Sequence, residues 1–243
     1  MTALPLPSRQ TRIAPSQPLL QDGTESRLGE IAVSTVQETP LTFADLIDQL
    51  GVSPKRIRLR PPPGTATEQD VLDIEAREDW LFELVDGVLV EKVMGYGESL
   101  IAVELIRMLA NFVKRHKLGL VSGPDGMIQL LPGLVRIPDV AYVSWERLPN
   151  RKRPRVPIPA LVPDLAVEIL SEANTDKEME RKLQEYFQAG VRMVWLIDPK
   201  ERTARVYTGP QKHRLLHDDQ ALEAGKLLPG FKLPLRKLLG KPD

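Results

Sequence analysis

Apolar and polar positions along the chain change their period several times, and each change marks an element. Residues 1–40 show no period and are rich in Pro, Ser, Thr and Gln, which predicts a flexible tail. "LTFADLIDQL" predicts a short helix with Thr42 as N-cap and Gly51 as its stop. "RPPPG" then breaks the chain. "TATEQDVLDIEARED" predicts a second helix, with Thr65 and Glu68 spaced as a capping box. These two helices make an N-terminal accessory segment over residues 41–78, ahead of a main domain over 79–243.

The main domain opens with "WLFELVDGVLVEKVMG", two alternating runs around Asp86-Gly87, the strongest short-range hairpin signal. Glu83 and Glu91 sit on its two arms. "ESLIAVELIRMLANFVKRHKLG" predicts the best helix of the chain. Leu105, Met108, Leu109, Phe112 and Val113 form its apolar stripe and Gly119 its stop. "LGLVSG" predicts a short strand, and "GMIQLLPGLVRIPDVAYVS" two strands around "PG", the second carrying Asp139 in phase with Ala141 and Val143. After an Arg- and Pro-rich loop, "LAVEILS" is apolar on both faces, as a central strand would be. "TDKEMERKLQEYFQAG" predicts a helix and "VRMVWLID" a buried strand, together a βαβ unit with a right-handed crossover. "PKERTARVYTG" adds a turn and a strand, and "LLPGFKLPLRKLL" a final docking segment. The fold class expected is α/β, with a mixed central sheet flanked by helices.

Composition narrows the chemistry. Among 243 residues there is no cysteine, which excludes disulfides, thiolate catalysis and Cys-ligated zinc. Only three histidines occur; His213 and His217 are read as solvated residues of a strand and turn rather than a metal pair. Lys plus Arg equals Asp plus Glu at 33 each, so a nucleic-acid footprint must be local. No apolar run reaches the roughly 20 residues of a membrane span, and the N-terminus lacks a signal-peptide core. The expected location is cytoplasmic. "GYGESL" precedes a helix but lacks the Lys-Ser/Thr ending of a phosphate-binding loop.

Two acids stand out because they interrupt buried strands. An ionised carboxylate in a core costs several kcal/mol unless paired or metal-bound. If Asp139 and Glu168 lie on neighbouring strands and face one side, their oxygens converge into a hard-oxygen site suited to Mg²⁺ or Mn²⁺. On the helix after Glu168, Met179, Leu183, Tyr186 and Phe187 form the buried stripe. Lys182 falls at its rim, while Lys177, Arg181 and Glu185 point outward. Lys182 could then reach the same site and steady a phosphate or a water. Each residue also has a plain structural reading. Pro138-Asp139 shapes a turn, Glu168 pairs with an arginine, and Lys182 extends its amine into water. The local basic footprint is "RLPNRKRPR", in which Arg147, Arg151, Lys152, Arg153 and Arg155 either touch phosphates near the metal or simply face solvent.

"FELVDGVLVE", "RIPDVAYVS", "PDLAVEILSEANTDKEMERKLQEYFQAGVRMVWLID" and "LPGF" resemble the Uma-two family of restriction endonucleases, from about residue 65 to the C-terminus. That resemblance implies the PD-(D/E)xK nuclease fold, with Asp139 and Glu168 as metal ligands and DNA as substrate. It also brings in Glu83 as a recurrent family acid at the edge of the site; Glu98 is a further candidate, as an outer acid. The superfamily's lysine lies two residues after the second acid, where this chain has Leu170; Lys182 is the candidate replacement. The reading is a Mg²⁺- or Mn²⁺-dependent endonuclease, and cutting both strands favours a homodimer. The alternatives are a catalytically silent nucleic-acid-binding or scaffold protein that keeps the fold, and a structural α/β protein whose acids are all salt-bridged.

Overall fold

Residues 42–240 are described by the computed structural model, and the segment expected as a flexible tail lies outside them. The N-terminal part forms α1 (Phe43–Leu50), β1 (Ile57–Arg58), α2 (Glu68–Glu78), β2 (Phe82–Val85), β3 (Val88–Glu91) and α3 (Tyr96–His116). Four strands follow: β4 (Gly119–Ser122), β5 (Ile128–Leu131), β6 (Leu134–Arg136) and β7 (Val140–Ser144). Then come β8 (Leu165–Ile169), α4 (Asp176–Ala189), β9 (Met193–Asp198), β10 (Thr203–Gly209) and β11 (Lys212–Leu216). The chain closes with β12 (Ala221–Leu222), β13 (Leu233–Pro234) and α5 (Leu235–Leu239). None of these helices is long and apolar enough to cross a membrane.

The strands form two large sheets. One runs β1-β3-β2-β6-β5 and is antiparallel throughout. The other runs β11-β10-β9-β8-β7-β4 and is mixed, because β8 and β9 are parallel and joined by α4, the expected βαβ unit. The hairpin forms as its sequence predicts: Asp86 and Gly87 both take positive φ (50° and 68°), which sets Glu83 opposite Val90.

Three expectations need correction. The second helix is capped by Thr67 and Asp70, whose side chains exchange bonds with each other's backbone; Thr65 instead bonds Pro62 and closes the preceding turn. Helix α3 stops at His116 with Lys117 left-handed, and Gly119 is needed elsewhere. A Cβ there would stand 1.9 Å from the Val143 carbonyl oxygen, so β4 can lie against β7 only with glycine. Most consequentially, "LVRIPDVAYVS" is two strands in different sheets. Pro138 cannot donate to a ladder, pairing lapses at Ile137–Asp139, and the chain crosses from β6 to β7 there. Asp139 therefore sits at a crossing between sheets rather than inside a strand.

Both faces of the mixed sheet are covered. Val140, Tyr142, Leu165, Val167 and Trp195 pack against Leu105 and Leu109 of α3. Ala141, Ala166, Val194 and Leu196 face the opposite way, where Met179, Leu183 and Tyr186 of α4 join Val85, Val88 and Val90 of the first sheet in one cluster. Helix α4 is thus wedged between two sheets. The 42–78 segment packs into the same body: β1 extends the first sheet, Leu46 and Leu50 of α1 join the α4 cluster, and Arg56 bonds buried Glu178 at 2.8 Å.

Candidate metal and nuclease site

The register of β7 and β8 brings the two acids together. Val140 pairs with Val167 and Ala141 with Ala166, so Asp139 and Glu168 emerge side by side at one end of the strand pair. Both have the phase of the alanines, and therefore face α4 and the first sheet. Asp139 Oδ2 accepts the Ile169 amide at 2.6 Å. Its Oδ1 lies 2.8 Å from Lys92 Nζ, which also stands 3.6 Å from Glu168 Oε2. One ammonium is shared by the two carboxylates.

Lys182 completes the second half. Its Nζ lies 3.3 Å from both oxygens of Glu168 and 3.2 Å from Glu83 Oε1. The Tyr186 hydroxyl, one helical turn on, donates to Glu168 Oε1 at 2.5 Å. Glu83 also accepts from Arg136 Nη1 at 2.7 Å and from the Ile137 amide at 3.1 Å. Arg136 reaches on to Glu185 at 2.5 and 2.7 Å, and Glu185 accepts from Arg181, whose guanidinium also bonds Asp86 at 2.6 Å.

Several expectations change here. Lys182 is not at the rim of its helix but 2 % exposed, because α4 is covered from two sides and its buried arc takes in Glu178, Lys182 and Glu185. Glu185 therefore points inward. Glu83 is not at the edge of the site but fully buried at its centre. Glu98 lies in the first turn of α3 with its carboxylate beside Gly95, and makes no ion pair with the cluster. Arg147 is tied to Asp164 at 2.9 Å. Arg151, Lys152, Arg153 and Arg155 are exposed, in the loop that leaves β7 after Ser144. That loop starts at the far end of the strand from Asp139, about 16 Å away at a strand's rise per residue. It does not begin beside the two acids.

Lys92, Arg136 and Tyr186 were not picked out as site residues from sequence. Lys92 was legible: the two-residue turn pairs Glu83 with Val90, and Lys92 is two residues beyond Val90 on the same face. Tyr186 was counted for its ring alone. Arg136 carried no signal until the sheet crossing was known.

The charges are balanced within the cluster. Asp139, Glu168 and Glu83 face Lys92, Lys182 and Arg136, and every one of these side chains is 7 % exposed or less. Burial works against the Glu83 charge, but Lys182, Arg136 and Lys92 outweigh it and hold its carboxyl well below the ordinary range. Burial likewise opposes the Glu168 charge, and Lys182 and Lys92 still pull its pKa down. Asp139 goes the other way: burial raises it, Lys92 only partly offsets this, and the Glu168 charge adds to the rise. Burial and the charges of Glu168 and Glu83 push Tyr186 well above 10, so its hydroxyl stays a donor. The two adjacent acids are thereby driven apart, Asp139 being the one that more readily takes a proton.

Among the described residues, no group of three or more His, Asp or Glu has the arrangement of a metal cage. The two carboxylates nonetheless fit a hard divalent cation by donor chemistry, since a cationic group already stands between their oxygens.

Comparison with known proteins agrees with this architecture. The profile of the Uma2 family, described as "Putative restriction endonuclease", matches residues 68–236, more than half of the chain. A crystal structure described as "a putative nuclease belonging to DUF820", from Anabaena variabilis ATCC 29413, superposes with a TM-score of 0.59 at 22 % identity, over 65 % of this chain and 89 % of that one. At that identity the likeness speaks for the fold. No curated protein matches the chain.

Proposed function

The chain belongs to the Uma2 family of restriction-endonuclease-like proteins, and on that premise we propose that it is a Mg²⁺- or Mn²⁺-dependent DNA endonuclease acting in the cytoplasm. One observation carries the proposal: the carboxylates of Asp139 and Glu168 flank a single cation position. These two residues would hold the metal, which when bound supplies water activation and neutralises charge on a phosphodiester.

The remaining work falls to the chain's own side chains. Asp139 is held by the Ile169 amide and Glu168 by the Tyr186 hydroxyl, so both carboxylates are oriented before any ligand arrives. Lys182 stands in for the lysine missing at Leu170. It spans Glu168 and Glu83, and from there it orients a water or steadies the phosphate. Arg136 acts one step out by fixing Glu83. Lys92 now fills the space between the acids and must swing aside for the metal to be held there. Cutting both strands takes two such sites, which favours a pair of chains.

A second reading has its own support. The cluster is charge-balanced and closed, as a catalytically silent nucleic-acid-binding protein that keeps the fold would be. Cleavage of supercoiled plasmid in Mg²⁺ or Mn²⁺ separates the two. Nicking by wild type that is lost in Asp139→Asn supports the endonuclease. A folded wild type that leaves plasmids of varied sequence intact supports the silent protein.

A further inference from the structure

A second polar site lies at the opposite ends of the same strands. Ser144 closes β7, Asp164 precedes β8 and Arg192 precedes β9; together they border a cavity of about 240 Å³. Its lining carries four basic residues (Lys117, Arg151, Arg192 and Lys226) against two acids, Glu146 and Asp164. Asp164 is already neutralised: Arg147 and Arg192 pair with it at 2.9 and 3.1 Å, and the Ser144 amide donates to it at 2.7 Å. Among the described residues, Lys117, Arg151 and Lys226 have no ion-pair partner, so three free cations converge on one concavity. Ser144 is one of the lining residues, and its hydroxyl is buried without a hydrogen bond. Trp145 adds an indole to the wall.

We propose that this cavity binds a nucleoside phosphate unit, with the phosphate on Lys117, Arg151 and Lys226 and the base against Trp145. The chemistry is that of backbone-tracking sites, where cations take the phosphate and an aromatic side chain takes the base face without reading sequence. The unit could come from a nucleic-acid strand or from a free mononucleotide. The nucleic-acid source rests on the nuclease reading above.

The test is a titration of the full chain with 5′-dAMP in EDTA, followed by tryptophan fluorescence. Trp195 is buried in the core and Trp80 lies before the other sheet, so Trp145→Phe identifies the reporting indole. A saturable change that is lost in Trp145→Phe is expected. Arg151→Glu with Lys226→Glu, both exposed and free to change without unfolding the chain, should weaken binding on the order of tenfold or more. Asp139→Asn should bind as wild type does, so failure of the nuclease reading and failure of this one are read separately. A short oligonucleotide that binds more tightly than dAMP identifies a strand as the source, and equal binding identifies the mononucleotide; both support the site. No saturable change in wild type at millimolar dAMP would overturn it. So would unchanged affinity in the charge-reversal variant, or adenosine competing as well as dAMP.

Discussion

Replacing Lys92 with methionine isolates the cation position between the acids. Methionine keeps the unbranched stem and removes only the ammonium that stands 2.8 Å from Asp139 and 3.6 Å from Glu168. Those carboxylates are 4 % and 5 % exposed, so solvent does not replace the lost charge. Removing one partner from a buried ionic cluster costs about 3–5 kcal/mol. Urea unfolding of Lys92→Met in EDTA should therefore show a lower midpoint by that free energy, with an unchanged slope. If the two carboxylates suit a hard divalent cation, Mg²⁺ restores part of the loss in this variant. At about 100 times its dissociation constant it returns about 2.7 kcal/mol. Lys92→Met combined with Asp139→Asn should show no such recovery. A destabilised Lys92→Met that unfolds identically with and without Mg²⁺ would refute the reasoning, because the acids would then accept an ammonium and not a metal.

Three further outcomes follow from the same geometry. Arg136→Leu leaves Glu83 and Glu185 facing each other without their shared guanidinium; chemical unfolding should show a loss of about 3–5 kcal/mol, much of it recovered by adding Glu83→Gln. Glu83 and Glu168 hold their protons less tightly folded than unfolded. Their contribution is complete above the ordinary glutamate value of 4.5 and is lost as pH falls through their lower folded values, while Asp139, raised, acts with the opposite sign. Glu83→Gln should thus flatten the fall in unfolding free energy from pH 4.5 down to about pH 3, measured by urea titration at each pH. Gly119→Ala forces a methyl onto the Val143 carbonyl and should lower stability by about 2 kcal/mol or more, read by thermal unfolding.

Much of the fold was legible because local signals agreed with one another. The Asp86-Gly87 hairpin and the βαβ unit each rest on a period and a terminator within one short segment, and the α3 stripe on its period alone. The acids Asp139 and Glu168 were legible as exceptions to an apolar period. What escaped depends on layers that no local window contains. The burial of Lys182 and Glu185 follows from a second sheet covering α4, and the division of "LVRIPDVAYVS" follows from Pro138 sending the chain between sheets. Arg136 became meaningful only once β6 was known to face α4. The basic loop shows the same limit: its proximity to Asp139 in sequence is undone by the length of β7.

The most direct test of the central claim is a calorimetric titration of Mn²⁺ into wild type and into Glu168→Gln. If Asp139 and Glu168 flank one cation position that a metal can take from Lys92, wild type should bind a single Mn²⁺ per chain and Glu168→Gln should bind none. Absence of binding by folded wild type, or binding undisturbed by Glu168→Gln, would contradict the account.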